Sequence, residues 1–293
     1  MFKFLRFLVK VVLRLVMVVV GLIVLLFAAG AVRYWMWNPD PLATLYEGRA
    51  ILNMGHRGAS GAAPENTIAA FIAAAEQGAH VVELDVMLSG DGEVVVIHDY
   101  TLDRTTDGSG LVKEHSLAEL KRLDAGSWFS ADFAGEKIPT LQEVIDALDP
   151  AMLLNIEIKS ESPATDGLEK AVVDVIARNN LYGRVLVSSF NPISLLRVKL
   201  ADRRIPVGLL YMADLPVYLS QGWFIPILLP EALHPSYDLV DEAYMEWAHR
   251  KGFKVNVWTV DEAADMERMI DLSVDGIITN RPELLTQILE ERT

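Results

Sequence analysis

Eight short apolar runs, most of them followed by a segment of helical periodicity, constrain this chain more than any other feature. They lie near residues 51–55, 81–86, 153–158, 185–189, 206–211, 232–234, 254–258 and 275–279. Strands of a parallel sheet are covered on both faces and so read as almost continuously apolar, and parallel neighbours need a crossover, usually a helix. Helical patterns at Thr67–Gln77, Asp166–Asn179, Asp238–Lys251, Asp261–Asp271 and Pro282–Glu291 supply crossovers. Eight such units predict an α/β fold of the (β/α)8 TIM barrel type over residues 51–293. Residues 100–137 break the rhythm, being turn-rich at Thr105–Gly110 with one helical stretch at Ser116–Leu123. A loop that long inside a compact domain is usually functional, and it reads as a small inserted cap over the barrel mouth.

Within this pattern, Val81–Leu88 stands out. Residues two apart on a strand share a face, so Val82, Leu84, Val86 and Leu88 point one way while Glu83 and Asp85 point the other. Carboxylates held so close repel, and a divalent cation neutralises them more readily than a trapped proton. A two-residue turn at Asp91-Gly92 would return the chain as an antiparallel strand at 94–98 and set His98 across from Asp85. The pattern recurs at Leu153–Lys159, where Asn155, Glu157 and Lys159 share a face. Glu83, Asp85 and Glu157 together make an oxygen-only metal site, better suited to Mg2+ or Ca2+ than to zinc.

His56 and Arg57 end the first strand, at the rim where barrel enzymes place their chemistry. His56 and His98 are candidates for proton transfer. Arg57 and Lys159 are candidates for holding phosphate oxygens. A hard cation, two basic side chains and two histidines suit a phosphate ester. Blander readings exist for each: a turn of incidental polarity at His56-Arg57-Gly58, and a buried Glu157–Lys159 ion pair whose desolvation cost returns nothing. His80 and His249 read as structural or solvated, His115 carries no role, and His234 either lines the mouth or packs.

The N-terminus is of another kind. Leu15 to Val32 runs eighteen residues without a charge, close to the length that spans a bilayer core. Lys3, Arg6, Lys10 and Arg14 precede it and Arg33-Tyr34-Trp35-Met36-Trp37 follows, so the positive-inside bias puts the N-terminus in the cytoplasm and the barrel on the outer side. Residues 1–37 are therefore expected to be a transmembrane anchor, joined by a linker at 38–50. A cleaved signal segment ending near Ala29-Gly30-Ala31 is the alternative, though the run is longer than the usual apolar region of such segments. The formal charge of −14 becomes more negative still once the five basic residues before position 34 are set aside, which excludes nucleic acid as a partner. With no cysteine, disulfides and thiolate metal sites are excluded as well.

In sequence order, His56-Arg57-Gly58, Glu65-Asn66-Thr67, Glu83-Leu84-Asp85-Val86, His98-Asp99, Asp103-Arg104-Thr105-Thr106, Glu157-Ile158-Lys159, Trp258-Thr259 and Asp275–Asn280 resemble the glycerophosphodiester phosphodiesterases, over nearly all of residues 51–293. The resemblance implies metal-dependent hydrolysis of a glycerophosphodiester to glycerol 3-phosphate and an alcohol. It implies His56 and His98 as the acid–base pair, Glu83, Asp85 and Glu157 as metal ligands, and Arg57 and Lys159 as phosphate contacts. Trp258 shares a strand face with Lys254 and Asn256, and its ring either walls the glycerol site or packs as core. An apolar stretch at 218–229 is read in two ways: as a surface for a lysophospholipid acyl chain or a bilayer, or as a loop helix packed on the barrel. The remaining alternatives are a lysophospholipase D and a catalytically inactive, membrane-tethered binding protein.

Overall fold

The computed structural model describes residues 2–40, 42–160, 162 and 164–292; within the first helix the side chains at positions 2, 3, 5, 8, 23, 26 and 27 are not described. Pro41 of the expected linker and the side chain of Lys3 thus lie outside the described residues. Among the described residues nine strands form one sheet: β1 (Leu52–Gly55), β2 (Val81–Leu88), β3 (Val94–Val96), β4 (Leu153–Ile158), β5 (Val185–Ser189), β6 (Val207–Tyr211), β7 (Ala232–Pro235), β8 (Lys254–Val257) and β9 (Gly276–Thr279). Eight run parallel and close on themselves through β1–β2 pairing, and β3 pairs antiparallel to β2 outside the ring. The closed (β/α)8 barrel expected from the alternation is present.

Twelve α-helices accompany the strands among the described residues: α1 (Phe2–Met36), α2 (Ala43–Tyr46), α3 (Ile68–Glu76), α4 (Leu117–Leu120), α5 (Leu141–Ala147), α6 (Leu168–Arg178), α7 (Pro192–Ala201), α8 (Val217–Ser220), α9 (Ile225–Leu228), α10 (Glu242–Lys251), α11 (Ala263–Asp271) and α12 (Pro282–Glu291). Local chemistry fixes several starts. Thr67 caps α3 by accepting from the Ala70 amide, and Thr140 and Glu143 form a reciprocal capping box on α5.

Strand alternation divides the apolar residues into two cores. Val82, Leu84, Val86, Leu154, Ile156, Ile158, Val187 and Val257 face outward against the helices, where Phe71, Val172, Leu195 and Met266 meet them. Leu52, Met54, Val81, Leu153, Leu186, Ala232 and Ile278 face inward. The segment 38–50, expected to be a linker, carries α2, whose Leu45 and Tyr46 join Leu42 in that inner cluster. The Tyr46 hydroxyl donates to Asn256 Oδ1 at 2.8 Å. A polar layer lies above: Asn256 also meets the His234 ring at 3.0 Å. Gly208 makes room for that ring, since a Cβ there would sit 2.6 Å from His234 Nε2.

The hairpin corrects one expectation. The observed pairs are Val86 with Val96, Met87 with Val95 and Leu88 with Val94, one residue away from the register that a two-residue Asp91-Gly92 turn dictates. The Ser89 amide donates to the Glu93 carbonyl and the Gly92 amide to the Ser89 carbonyl, so the loop has three residues, 90–92, with Gly92 at φ +87°. Asp85 therefore faces Ile97, whose amide donates to the Asp85 carbonyl, and His98 lies beyond the ladder.

Residues 2–36 form the single helix α1. Among the described residues no helix is long and apolar enough to cross a membrane; positions 23, 26 and 27 of the expected span fall outside the described side chains. The C-terminal end of α1 rests on the barrel: Arg33 Nη1 donates to the Ile227 carbonyl at 3.0 Å, and the Lys251 ammonium donates to the carbonyls of Tyr34 and Trp37, a cation placed at the negative end of the helix dipole.

Candidate active site

Parallel register builds the acidic cluster. Asp85 on β2 is paired with Glu157 on β4, and Glu83 with Asn155, so their side chains emerge on neighbouring strands about 4.8 Å apart. Ligand oxygens from Glu83, Asp85 and Glu157 all lie within 4.8 Å of one another, and all three residues are buried. Lys159 Nζ lies 2.9 Å from Glu157 Oε1 and 3.5 Å from Asp85 Oδ1; Arg57 Nε lies 3.4 Å from Asp85 Oδ2. The Glu157–Lys159 pair of the blander reading exists, but inside a cluster of five charged groups.

Three carboxylates against two cations leave the cluster short of positive charge. Burial and the neighbouring Asp85 and Glu157 push the Glu83 carboxyl well above its ordinary range, and burial lifts Glu157 to about 7 against the pull of Lys159. Asp85 goes the other way: burial would raise it, but Lys159 and Arg57 outweigh burial and hold it at about 2. Converging hard oxygens with unbalanced negative charge fit a divalent cation of the Mg2+ or Ca2+ type.

His56 and Arg57 sit where β1 ends in a tight turn. Arg57 has φ +55° and Gly58 +84°, and any Cβ at Gly58 would meet Ala70 within 2.7 Å. The turn aims the Arg57 amide at Glu83 Oε2, 2.8 Å away, and its guanidinium at Glu65, 2.8 Å away. His56 Nδ1 lies 2.7 Å from Asn280 Oδ1, while the Asn280 amide nitrogen donates to Asp261 Oδ2 at 2.6 Å. Asp261 thereby fixes which way the amide points, so its oxygen accepts from His56 Nδ1–H and Nε2 is left with its lone pair. Burial and the adjacent Arg57 lower the His56 pKa to about 4, which makes it neutral near pH 7.

His98 is held in the same manner, Nδ1 lying 2.6 Å from Asp99 Oδ1, and burial lowers its pKa too. Arg104 from the cap grips both supports. Its Nε donates to Asp99 Oδ2 at 2.6 Å, and its Nη1 and Nη2 donate to Glu65 at 2.7 Å. One guanidinium thus ties the residue that orients His98 to the residue that holds Arg57.

Two adjoining spaces open here. An inner chamber of about 190 Å3 is lined by His56, Arg57, Glu83, His98, Lys159 and, as walls, Phe190, Leu210, Met212 and Trp258. An outer groove of about 510 Å3 is lined by His98, Asp99, Tyr100, Thr101, Ser160 and Phe190 among others. Trp258 meets Phe190 edge-on at 5.3 Å, and its ring is a chamber wall. The structure therefore brings His56, Arg57, Glu83, Asp85, His98, Glu157, Lys159 and Trp258 to one place. His234 is fully buried among Asn256 and Gly208 and packs. His80 Nδ1 accepts the Asn53 amide, His249 pairs with Asp275, and His115 Nδ1 bonds the Leu111 carbonyl. Sequence reasoning assigned no role to Asn280, Asp261, Asp99, Arg104 or Glu65, although all but Asp261 stand within its quoted motifs. For Phe190 it had no signal.

The model of the glycerophosphoryl diester phosphodiesterase family matches residues 56–284. The chain is 46% identical over 242 residues to the glycerophosphodiester phosphodiesterase of Caldanaerobacter subterraneus subsp. tengcongensis, covering 82% of this chain and 98% of that one. It is 34% identical over 254 residues to the glycerophosphodiester phosphodiesterase of Bacillus subtilis, covering 81% and 86%. Among solved structures, an Oleispira antarctica phosphodiesterase in complex with the product sn-glycerol-3-phosphate superposes with a TM-score of 0.71 at 34% identity, covering 81% of this chain and 96% of that one.

Proposed function

The chain belongs to the glycerophosphoryl diester phosphodiesterase family, and from that premise we propose a metal-assisted hydrolysis of glycerophosphodiesters to glycerol 3-phosphate and an alcohol, with two histidines moving the protons. Phosphodiester hydrolysis follows from the family; the division of labour is our reading. The observation that carries it is the convergence of two histidines, each tethered through Nδ1, on a chamber that Glu83, Glu157, Arg57 and Lys159 also line.

The inner chamber takes the glycerophosphoryl part, its three-carbon backbone against Trp258 and Phe190. The leaving alcohol lies in the outer groove beyond His98, which lines both spaces. Arg57 and Lys159 hold phosphoryl oxygens through charge-assisted hydrogen bonds. His56 Nε2, kept neutral and aimed by Asn280, accepts a proton from the attacking oxygen. His98, in its protonated form with Nδ1–H held by Asp99, gives its Nε2 proton to the alcohol oxygen as the phosphorus–oxygen bond breaks. Overall, water supplies hydroxyl to phosphorus and a proton to the alcohol. Glu83, Asp85 and Glu157 would hold a Mg2+ or Ca2+ ion, which supplies Lewis-acid polarisation of a phosphoryl oxygen.

Nothing at the chamber favours an acyl chain: residues 217–228 do not line it, so the lysophospholipase D reading has no support of its own. The binding-protein reading would need a missing catalytic group, and the set is complete. We also propose that α1 attaches the barrel to a membrane, with the N-terminus cytoplasmic and the barrel on the outer side. Its support is the charge-free run Leu15–Val32 with basic residues before it.

Glycerol 3-phosphate release from glycerophosphocholine tests the hydrolysis. We expect turnover with Mg2+ or Ca2+, its loss in EDTA, and a fall of roughly 10²–10⁴-fold in His56→Ala and in His98→Ala. Turnover that survives EDTA would remove the metal from the proposal, and full activity in either histidine variant would remove that residue.

A further inference from the structure

Between β6 and β7 the barrel carries only the short helices α8 and α9 in place of a full crossover helix. Ile225 and Leu228 pack inward. Val217, Tyr218, Trp223 and Ile227 face outward, 46–61% exposed, and the single charged residue from 212 to 230 is Asp214. We propose that this apolar face is a lipid-docking surface, which seats the barrel on a bilayer beside the point where α1 enters it. The inference rests on the membrane attachment through α1 proposed above.

Two observations choose lipid over protein as the occupant. The patch is continuous with α1: Arg33 donates to the carbonyl of Ile227 itself, and Val32 and Trp35, 54% and 82% exposed, extend the apolar surface onto the helix. α1 leaves the barrel at this junction, its described side chains before Gly30 being exposed apart from Val11. Further along, five consecutive apolar residues, Val16 to Val20, are all 51–65% exposed. Five consecutive positions go more than once around a helix. A second copy or another protein covers one stripe of a helix, whereas lipid solvates its whole circumference. Trp35 and Trp223 then stand together at the depth where amphipathic rings settle in a bilayer interface. The acidic barrel would repel anionic headgroups, so docking is apolar and requires no anionic lipid.

Because the chain has no cysteine, single introduced thiols give unambiguous labelling sites. The full chain carrying Ile227→Cys, labelled with a polarity-sensitive fluorophore and reconstituted in phosphatidylcholine vesicles, should show blue-shifted emission that spin-labelled lipid quenches. Leu22→Cys in α1 reports the attachment. Ile72→Cys on α3, on the opposite side of the barrel and 41% exposed, should stay water-like. Quenching at Leu22 with water-like emission at Ile227 would overturn the docking surface while leaving the attachment intact. Water-like emission at both would overturn both. A shift at Ile227 that lipid does not quench and that dilution of protein in lipid abolishes would assign the face to a second copy, and the proposal would fall.

Discussion

Asn280 shows how little charge is needed to set the tautomer of a buried histidine. Its oxygen fixes the His56 tautomer only because Asp261 holds its nitrogen, and neither residue lines the chamber. Arg104 acts at the same remove: it lines neither the acidic cluster nor the chamber, yet holds Asp99 and Glu65 together. Arg104→Ala should lower kcat roughly 10- to 100-fold, the usual penalty for losing a supporting contact, with a smaller change in KM. Arg104→Lys, which keeps charge but not the fork, should recover part of it. Steady-state kinetics of both variants check this, and an unchanged kcat in Arg104→Ala would deny Arg104 a positioning role. Carboxylates two apart on an apolar strand were legible because period two leaves no other way to read them. Arg104 was legible only as part of a motif, because its partners lie 5 and 39 residues away and meet through the cap.

At the level of elements, the strands were readable nearly to the residue, since buried parallel strands leave continuous apolar runs. Register was less so. An Asp-Gly pair favours a two-residue turn, but Ser89 adds its amide and hydroxyl to the loop, the hydroxyl bonding Asp91 and the Glu93 amide, and three residues close it instead. A slip of one reverses which face a residue takes, yet His98 still reaches the site because the chain leaves the ladder after Val96. The apolar run at 218–229 could not be assigned from its composition, because it divides: Ile225, Leu228 and Leu229 pack inward, whereas Tyr218, Trp223 and Ile227 stay out. Among the strands, Gly208 has a sharp requirement. Gly208→Ala should cost about 1–3 kcal/mol through overpacking against the His234 ring, read as a lower denaturant midpoint at unchanged slope. No loss would show that the ring can move aside.

For the molecule as a whole, the acidic cluster links stability to pH. Glu157 is pushed up to about 7 from an ordinary 4.5, and Glu83 moves the same way. In metal-free protein the folded state therefore keeps protons that the unfolded chain releases. This contribution is complete below about pH 4.5 and is lost as pH rises towards 7. A divalent cation held by these carboxylates would take the place of those protons, so the stabilisation by Mg2+ or Ca2+ should be small at pH 5 and grow towards pH 7. At a hundredfold excess over Kd it reaches about 2.7 kcal/mol, or roughly 5–10 °C in a chain of this size. Thermal melts with and without EDTA at pH 5, 6 and 7 measure it, and an increment independent of pH would argue against carboxylate ligation. The floor of the barrel has a practical side. Because Leu42, Leu45 and Tyr46 close the inner core from below, the catalytic unit begins before its first strand. A fragment starting at Asn38 should be soluble and fold, whereas one starting at Ile51 should lose on the order of 3–6 kcal/mol of apolar burial and aggregate or melt early. Cleavage between α1 and Asn38 would thus shed the enzyme with its floor in place.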